Sequence, residues 1–382
     1  NLFSKKMNIL VLSDAFWPDH TGGISKSLLS EVKEFVARGH RVIVVTRRLR
    51  RNFPLHEMRE MYELYRYSSP PKNTPLYWLY PLFSLKQIPK LVSQLHKKFR
   101  FDVAYVHDPF QANGLKRCFQ RIPYVYVFHA PKPREIKIDA AKGKYGFFTP
   151  LIRVINHWIK VKEGQALTQA HAIIVRSKFM EKEMRQLYGE VGKGKIIRIP
   201  LCLDTQRFSF VENPRAIRKE LRLPLNHPVL LTVRRLVARM GLENLITAMR
   251  KVVKEIPGAL LLIGGKGYLE KKLRAQVRQL NLEPNVKFLG FIPEEKLPKY
   301  FQAADVFVLP TISMEGFGLA TIEALSCGTP VIATPVGANP EVLAPLGEKF
   351  LCQNTTPEAL AERIIWFISC LLYTSPSPRD RG

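Results

Sequence analysis

Two glutamates eight positions apart, Glu315 and Glu323 in "SMEGFGLATIEALSCGTP" (313–330), are the first residues whose type and spacing suggest chemistry. Glu315 precedes a Gly-Phe-Gly turn. Glu323 lies in an apolar run that reads as helix, about 12 Å further along at helical rise. Gly316 and Gly318 open the backbone, so N–H groups at the helix start can point at phosphate oxygens. A carboxylate only accepts hydrogen bonds and pairs well with vicinal hydroxyls.

Further candidates stand at strand ends. Gly22 and Gly23 in "SDAFWPDHTGGISKS" lie between a strand and a helix, where exposed N–H groups and the positive helix end can hold a phosphate. A plain tight turn accounts for them equally well. The loop lacks GxGxxG, which counts against a nicotinamide or flavin dinucleotide. Arg234 and Arg235 end the strand "VLLTV", and Arg239 follows a turn later. Arginine there grips phosphate oxygens in a fork and keeps its charge, although surface arginines are common on a basic chain. His107 and His129 each follow a strand directly, His129 being the stronger candidate for hydrogen bonding near a reacting centre. In "GGKGYLEKKL" (264–273), Gly265 opens a glycine turn suited to a base or ribose.

These residues need a scaffold that gathers strand ends. "NILVLS" (8–13), "RVIVVT" (41–46), "VAYVH" (103–107), "YVYVF" (124–128), "AIIV" (172–175) and "IIRI" (196–199) are apolar runs of strand length. Helical periodicity lies between them, notably over 151–169 and 178–188. After a polar, proline-marked stretch over 204–228 the rhythm restarts at 229–233, 259–264, 286–290, 306–310 and 330–334. Strands apolar on both faces and separated by helices predict two doubly wound α/β domains, with ligands at the strands' carboxyl ends.

The length of 382 residues suits two such domains with a cleft between them. No uncharged apolar run reaches the roughly 18–20 residues of a membrane span. The apolar stretch after "KKM" is too short for a signal peptide, so Met7 is read as the start and the cytoplasm as the compartment. Five scattered cysteines without CxxC spacing argue against disulfides or zinc. Net charge is +27, of which +21 falls in residues 1–200, a field that favours an anionic partner. Residues 132–162 hold eight Lys/Arg against two Asp/Glu, interleaved with Phe147, Leu151, Ile155 and Trp158. Such a segment can lie on an anionic membrane face; a core helix with a solvated basic side is the alternative.

A ligand with hydroxyl-rich groups at both ends and phosphates between them is a nucleotide-sugar. With these residues in this order, the chain resembles the retaining glycosyltransferases of family 4 over residues 7–368. The similarity is carried by Glu315-x7-Glu323 followed by "CGTPVIATPVGANPEVL", with Gly22-Gly23, "HA" at 129 and "GKG" at 265–267 in support. The resemblance implies the GT-B fold, two Rossmann-like domains facing each other across a cleft. Residues 7–203 would be the acceptor side, 204–228 a linker and 229–368 the donor domain. "CLLYTSPSPRD" within 369–382 resembles a translated sequencing adapter, so this tail is read as non-native.

The resemblance further implies that Glu315 contacts the donor sugar, that amides from Phe317 to Leu319 meet the diphosphate, that Glu323 holds the ribose diol and that Arg235 neutralises the leaving group. The chemistry implied is hexosyl transfer from a GDP- or UDP-sugar to a lipid-linked or glycan acceptor, in envelope glycolipid or polysaccharide synthesis. The enzyme would be cytoplasmic or peripheral at the membrane's inner face. No metal or other cofactor is expected, since the chain has no Asp-x-Asp pair and arginine with backbone amides must carry the diphosphate charge; nor is nucleic acid. Another GT-B enzyme, such as an epimerase or phosphorylase, and a non-catalytic nucleotide-binding protein remain as alternatives. Where the family has Gly-Arg-Leu and Glu-Lys-Gly, this chain has Arg234-Arg235-Leu236 and Arg239-Met240-Gly241, and Arg239 is expected to replace the missing lysine charge. Leu201 and Cys202 stand in place of an Asn-Gly pair.

Overall fold

The computed structural model describes residues 5–20, 22–70, 79–141, 146–192 and 194–374. The chain divides into two compact units, Asn1–Cys202 and Leu203–Gly382.

In the first unit the order is β1 (Asn8–Leu12), α1 (Gly23–Ala37), β2 (Arg41–Arg47), β3 (His56–Met58), β4 (Glu63–Tyr67), α2 (Tyr80–Phe99), β5 (Val103–Val106), α3 (Pro109–Cys118), β6 (Tyr124–Phe128), α4 (Lys132–Ala141), α5 (Thr149–Gln169), β7 (Ala172–Val175), α6 (Lys178–Tyr188) and β8 (Ile196–Arg198). The strands form one sheet ordered β3-β4-β2-β1-β5-β6-β7-β8. All pairs are parallel except β3 with β4. Leu10, Leu12, Val106 and Phe128 pack on one face and Ile9, Val11, Val44 and Val127 on the other, which is why these strands read as unbroken apolar runs. Winding reverses between β1 and β5, so the residues after these two strands flank a crevice.

The sequence reading omits β3, β4, α2 and α3. β4 carries Glu63 and Arg66, and their charge masks a strand that is buried nonetheless. Arg66 donates to both oxygens of Asp19 at 2.6 and 3.0 Å and to Glu57 at 2.9 Å. In α2, Pro81 and Pro89 interrupt the helical pattern; Pro81 sits in the first turn, where an N–H has no partner to lose.

The second unit runs α7 (Pro214–Glu220), β9 (Val229–Val233), α8 (Leu242–Glu255), β10 (Leu260–Gly264), α9 (Glu270–Gln279), β11 (Val286–Gly290), α10 (Leu297–Ala303), β12 (Val306–Leu309), α11 (Leu319–Ser326), β13 (Val331–Ala333), α12 (Asn339–Leu343) and α13 (Pro357–Thr374). Its sheet is all parallel in the order β11-β10-β9-β12-β13, and winding reverses between β9 and β12.

Two expected boundaries change. The stretch 204–228 is not a free linker: Phe208 and Leu223 enter the second unit's core. Buried Arg218 donates to the Ala303 carbonyl at 2.8 Å and pairs with Asp305 at 2.7 Å. Its polar composition reflects one satisfied arginine and a capped helix, since Asn213 caps α7. At the other end, α13 continues past 368 to Thr374, with Leu360, Ile364, Phe367 and Ile368 in the same core cluster as Leu245, Met249 and Val252 of α8. The region read as foreign thus begins inside a helix, and its residues 375–382 lie outside the described ones.

The Arg66–Asp19 pair is almost wholly shielded from solvent, with side-chain exposures of 1% and 2%. Arg66→Met strands a buried carboxylate and should destabilise the first unit by about 3–5 kcal/mol. Chemical denaturation followed by tryptophan fluorescence checks this.

Candidate functional site

In the second unit the chemistry collects where the winding reverses. Arg234 directly follows β9, and Thr311 and Glu315 lie in the loop after β12. Arg234 Nη1 donates to Thr311 Oγ1 at 2.7 Å and Nη2 to Glu315 Oε2 at 2.7 Å. The Thr311 hydroxyl donates to the same Oε2 at 3.0 Å. Side-chain exposures of 6% for Arg234 and 13% for Glu315 make this a largely shielded ion pair. Burial holds the Arg234 pKa below its ordinary value against the opposing pull of Glu315. Glu315 Oε2 thus receives two donors, while Oε1 receives none among the described residues.

The backbone around the pair is packed too closely for side chains. A Cβ on Gly265 would lie 1.9 Å from the Arg234 carbonyl oxygen, and one on Gly337 would lie 2.3 Å from that of Glu315. Both glycines have positive φ, 124° and 65°. Ala338 N–H donates to the Glu315 carbonyl at 2.9 Å, so the "VGANP" turn buttresses the glutamate. Met314, just before it, has φ of 59°, a conformation that costs a residue with a side chain of order 1–3 kcal/mol. Arg239 Nη1 donates to the Met314 carbonyl at 2.8 Å and helps hold this strained turn.

Past Glu315 the loop crosses Gly316 and Phe317 to Gly318, whose φ of 83° starts α11 without a side-chain cap. The first-turn N–H groups, Leu319 among them, therefore form a positive helix end suited to an anion. Glu323 is buried on α11. Only the stretch from Leu319 is helical, so the 12 Å helical spacing from Glu315 does not hold: half of the eight residues are loop.

In the first unit a polar cluster occupies the carboxyl ends of the strands. His107 Nδ1 and His129 Nε2 are 2.7 Å apart with the rings stacked. His107 Nε2 is buried without a partner, so a proton there would be stranded. The proton belongs on Nδ1, which donates to His129 Nε2 and leaves His129 with Nδ1–H as a free donor among the described residues. Burial pushes the His107 pKa well down and that of His129 to about 3, with Arg176 opposing charge on both. At neutral pH both rings are uncharged.

Around them, Asp108 caps α3 through Oδ1 and accepts from Lys132 at 2.6 Å through Oδ2. Burial opposes the Lys132 charge, yet Asp108, Tyr80 and Asp14 raise its pKa well above the usual range. Burial would raise Asp14, but Lys132, Arg47, His20 and His129 bring its pKa below normal. Arg176 donates to Glu31, which also accepts from Tyr105 at 2.6 Å.

The remaining expected residues divide. Arg235 is exposed beside Arg234, whereas Met240, at the position of the family lysine, is buried and brings no charge. Gly22 caps α1 by backbone geometry without a side-chain bond, but its N–H is spent on His20 Nδ1 at 3.1 Å; Gly23 is the first residue of α1. Gly265 spends its N–H on the Gly290 carbonyl at 2.6 Å and serves the packing of Arg234. Sequence reasoning missed Thr311, Gly337, Asp14, Arg47, Asp108, Lys132 and Arg176. Their signal was position: Arg47 ends β2, Arg176 directly follows β7, and Asp14, Asp108 and Thr311 stand two residues past β1, β5 and β12. Among the described residues no group of three or more His, Cys, Asp and Glu could hold a metal ion, and no helix is long and apolar enough to cross a membrane.

Two family patterns match the chain, Glycosyltransferase Family 4 over residues 21–207 and Glycosyl transferases group 1 over 213–375. An uncharacterized glycosyltransferase of Methanocaldococcus jannaschii is 26% identical over 88% of this chain and 83% of its own. A GDP-mannose-dependent monoacylated alpha-(1-6)-phosphatidylinositol monomannoside mannosyltransferase of Corynebacterium glutamicum is 37% identical over 44% of this chain, a match that spans only 45% of that enzyme. Among solved structures, sucrose-phosphate synthase from Thermosynechococcus elongatus aligns over 95% of this chain and 90% of its own with TM-score 0.78 at 23% identity. HepE from Anabaena, in complex with UDP-glucose, aligns over 98% and 93% with TM-score 0.68 at 20% identity. These structural likenesses establish the fold.

The histidine pair predicts a pH dependence of stability. His129 titrates near 3 in the fold against an ordinary 6.5, so below that value the unfolded chain binds protons the folded chain refuses. The histidines should therefore lower the melting temperature of the first unit between pH 7 and about 5, while Glu163, raised to about 7 by burial, works in the opposite sense over the same range, so the histidine part is read as the difference from a variant that lacks it. A His107→Gln/His129→Gln variant should lack this histidine contribution by scanning calorimetry.

Proposed function

We propose, for a chain that belongs to glycosyltransferase family 4 and has its GT-B fold, that it moves a hexose from a nucleotide-diphosphate sugar to a hydroxyl of a lipid-linked or glycan acceptor, with retention at the anomeric carbon. One observation carries this reading: Glu315 presents an unused oxygen beside an uncapped helix end, with Arg235 and Arg239 on the neighbouring strand-end loop. Glu315 accepts from a sugar hydroxyl, Gly316 to Leu319 turn their amides to the diphosphate, and Glu323 takes the ribose diol. Arg235, with Arg239 behind it, offsets the charge that develops as the bond from the anomeric carbon to the diphosphate breaks. The new bond forms from the acceptor oxygen on the same face, and the acceptor proton passes to the departing diphosphate. His129 is neutral and contributes its Nδ1–H to a substrate hydroxyl as a donor, with no role as a base.

No metal enters this scheme. Names among the relatives and structural neighbours direct the donor search to GDP-mannose and UDP-glucose. A panel of nucleotide-sugars tested for turnover should give release of UDP or GDP that survives EDTA. Arg235→Ala should lower kcat by about 10²–10³-fold. Absence of turnover with every donor and acceptor tried, or loss with EDTA that metal restores, would overturn the corresponding part.

We also propose that the first unit meets an anionic membrane through α4 and α5. These helices line a groove of about 480 Å³ with Ile136 and Ile152 inside and Lys137, Arg153 and Lys160 at its walls. Beside it Phe147 is 94% exposed and Val154 69%, with Leu151 also outward. α5 turns Ile152 and Ile159 inward and leaves Leu151 and Val154 facing solvent next to basic side chains, which supports this reading over that of a core helix with a solvated basic side. Cosedimentation should show binding to phosphatidylcholine vesicles only when they contain phosphatidylglycerol. At roughly 1 kcal/mol per basic side chain, Lys137→Glu/Arg153→Glu/Lys160→Glu should abolish that binding while turnover of a soluble acceptor persists.

A further inference from the structure

Arg234 stands where the family motif carries glycine, and its guanidinium is committed to Thr311 and Glu315. Three hydrogen bonds close a ring from Arg234 to Thr311, from Thr311 to Glu315 and from Arg234 to Glu315. All three involve groups at the ends of two adjacent strands, β9 and β12, so the ring has no slack beyond side-chain rotation. Two donors on Oε2 fix the carboxylate plane and leave Oε1 as its one open acceptor. The arginine also cancels the negative charge that Glu315 would otherwise set beside the incoming diphosphate.

We infer that Arg234 is a positioning residue for sugar recognition: it aims Glu315 Oε1 at a hydroxyl of the donor sugar, whereas Arg235 serves the diphosphate. The inference rests on the reading of Glu315 as the group that meets the donor sugar. It separates two neighbouring arginines by task. Arg234 matters for the nucleotide-sugar and little for the bare nucleotide, because the nucleotide lacks the group that Glu315 addresses. Lysine at this position keeps the charge but cannot bridge Thr311 and Glu315 with a planar fork, so it restores activity only in part.

A double-mutant cycle with Arg234→Ala and Glu315→Gln tests this, using GDP-mannose or UDP-glucose, whichever is turned over, and calorimetric titration with GDP or UDP. Arg234→Ala is expected to lower kcat by roughly ten- to a hundredfold, the scale of a misplaced group. Nucleotide affinity should stay within about twofold, Arg234→Lys should lie between Ala and the parent, and the two losses should fail to multiply. Parallel loss of nucleotide affinity would make Arg234 a diphosphate ligand, and multiplicative losses or full activity in Arg234→Ala would remove its link to Glu315. Should Arg234→Ala not fold, the cycle is closed with Arg234→Lys, Glu315→Gln and Arg234→Lys/Glu315→Gln. Full turnover by Glu315→Gln would instead refute the reading of Glu315 itself.

Discussion

An arginine and a glutamate largely shielded from solvent must each replace the water they lose, and the second unit is arranged around meeting that demand for Arg234 and Glu315. They meet because the sheet reverses its winding between β9 and β12, which parts the two following loops and leaves room at the strand ends. Thr311 supplies a further bond to the carboxylate. Gly265 and Gly337 let neighbouring turns close on the two backbones at distances that no side chain permits. The strained Met314 turn then places Glu315 next to the start of α11.

The first unit solves a related problem differently. Its strand ends gather Asp14, Arg47, Asp108, Lys132, Glu31 and Arg176, and the acids find bases: Lys132 on Asp108, Arg176 on Glu31, Arg47 on Asp14. Once these charges are paired, the histidines have no carboxylate bonded to them, and burial beside cations keeps them neutral. Neutrality makes His129 a pH-insensitive donor, oriented by His107, at the reversal between β1 and β5 and the strand beyond. Both units thus place their polar groups where parallel strands end, one with an ion pair and one with a neutral ring pair.

Much of this was legible in the chain. Strands buried on both faces show themselves as unbroken runs such as "RVIVVT" and "VFVLP", and their alternation with helices fixes the α/β class. Glu315, Glu323, Arg235 and His129 could be singled out because short spacings and strand-end positions are local properties. β4 escaped notice because Arg66 is buried against Asp19, 47 residues away, and Glu63 against Arg41, 22 residues away, which composition cannot reveal. The stretch 204–228 escaped for the same reason, its Arg218 being satisfied by Ala303 and Asp305.

By itself, then, the sequence determined the alternation of elements, the glycine turns and the family motif, since all of these follow from the order of neighbouring residues. Tertiary structure decided which arginine turns inward. Arg234 and Arg235 are adjacent and chemically identical, yet one turns inward to Thr311 and Glu315 about eighty residues away while the other stays exposed. It also gave His129 its tautomer, through His107, and Gly265 and Gly337 their purpose, through the backbones they pack against. Such assignments depend on distances between segments remote in the chain, and only the packing of parallel strands sets those distances.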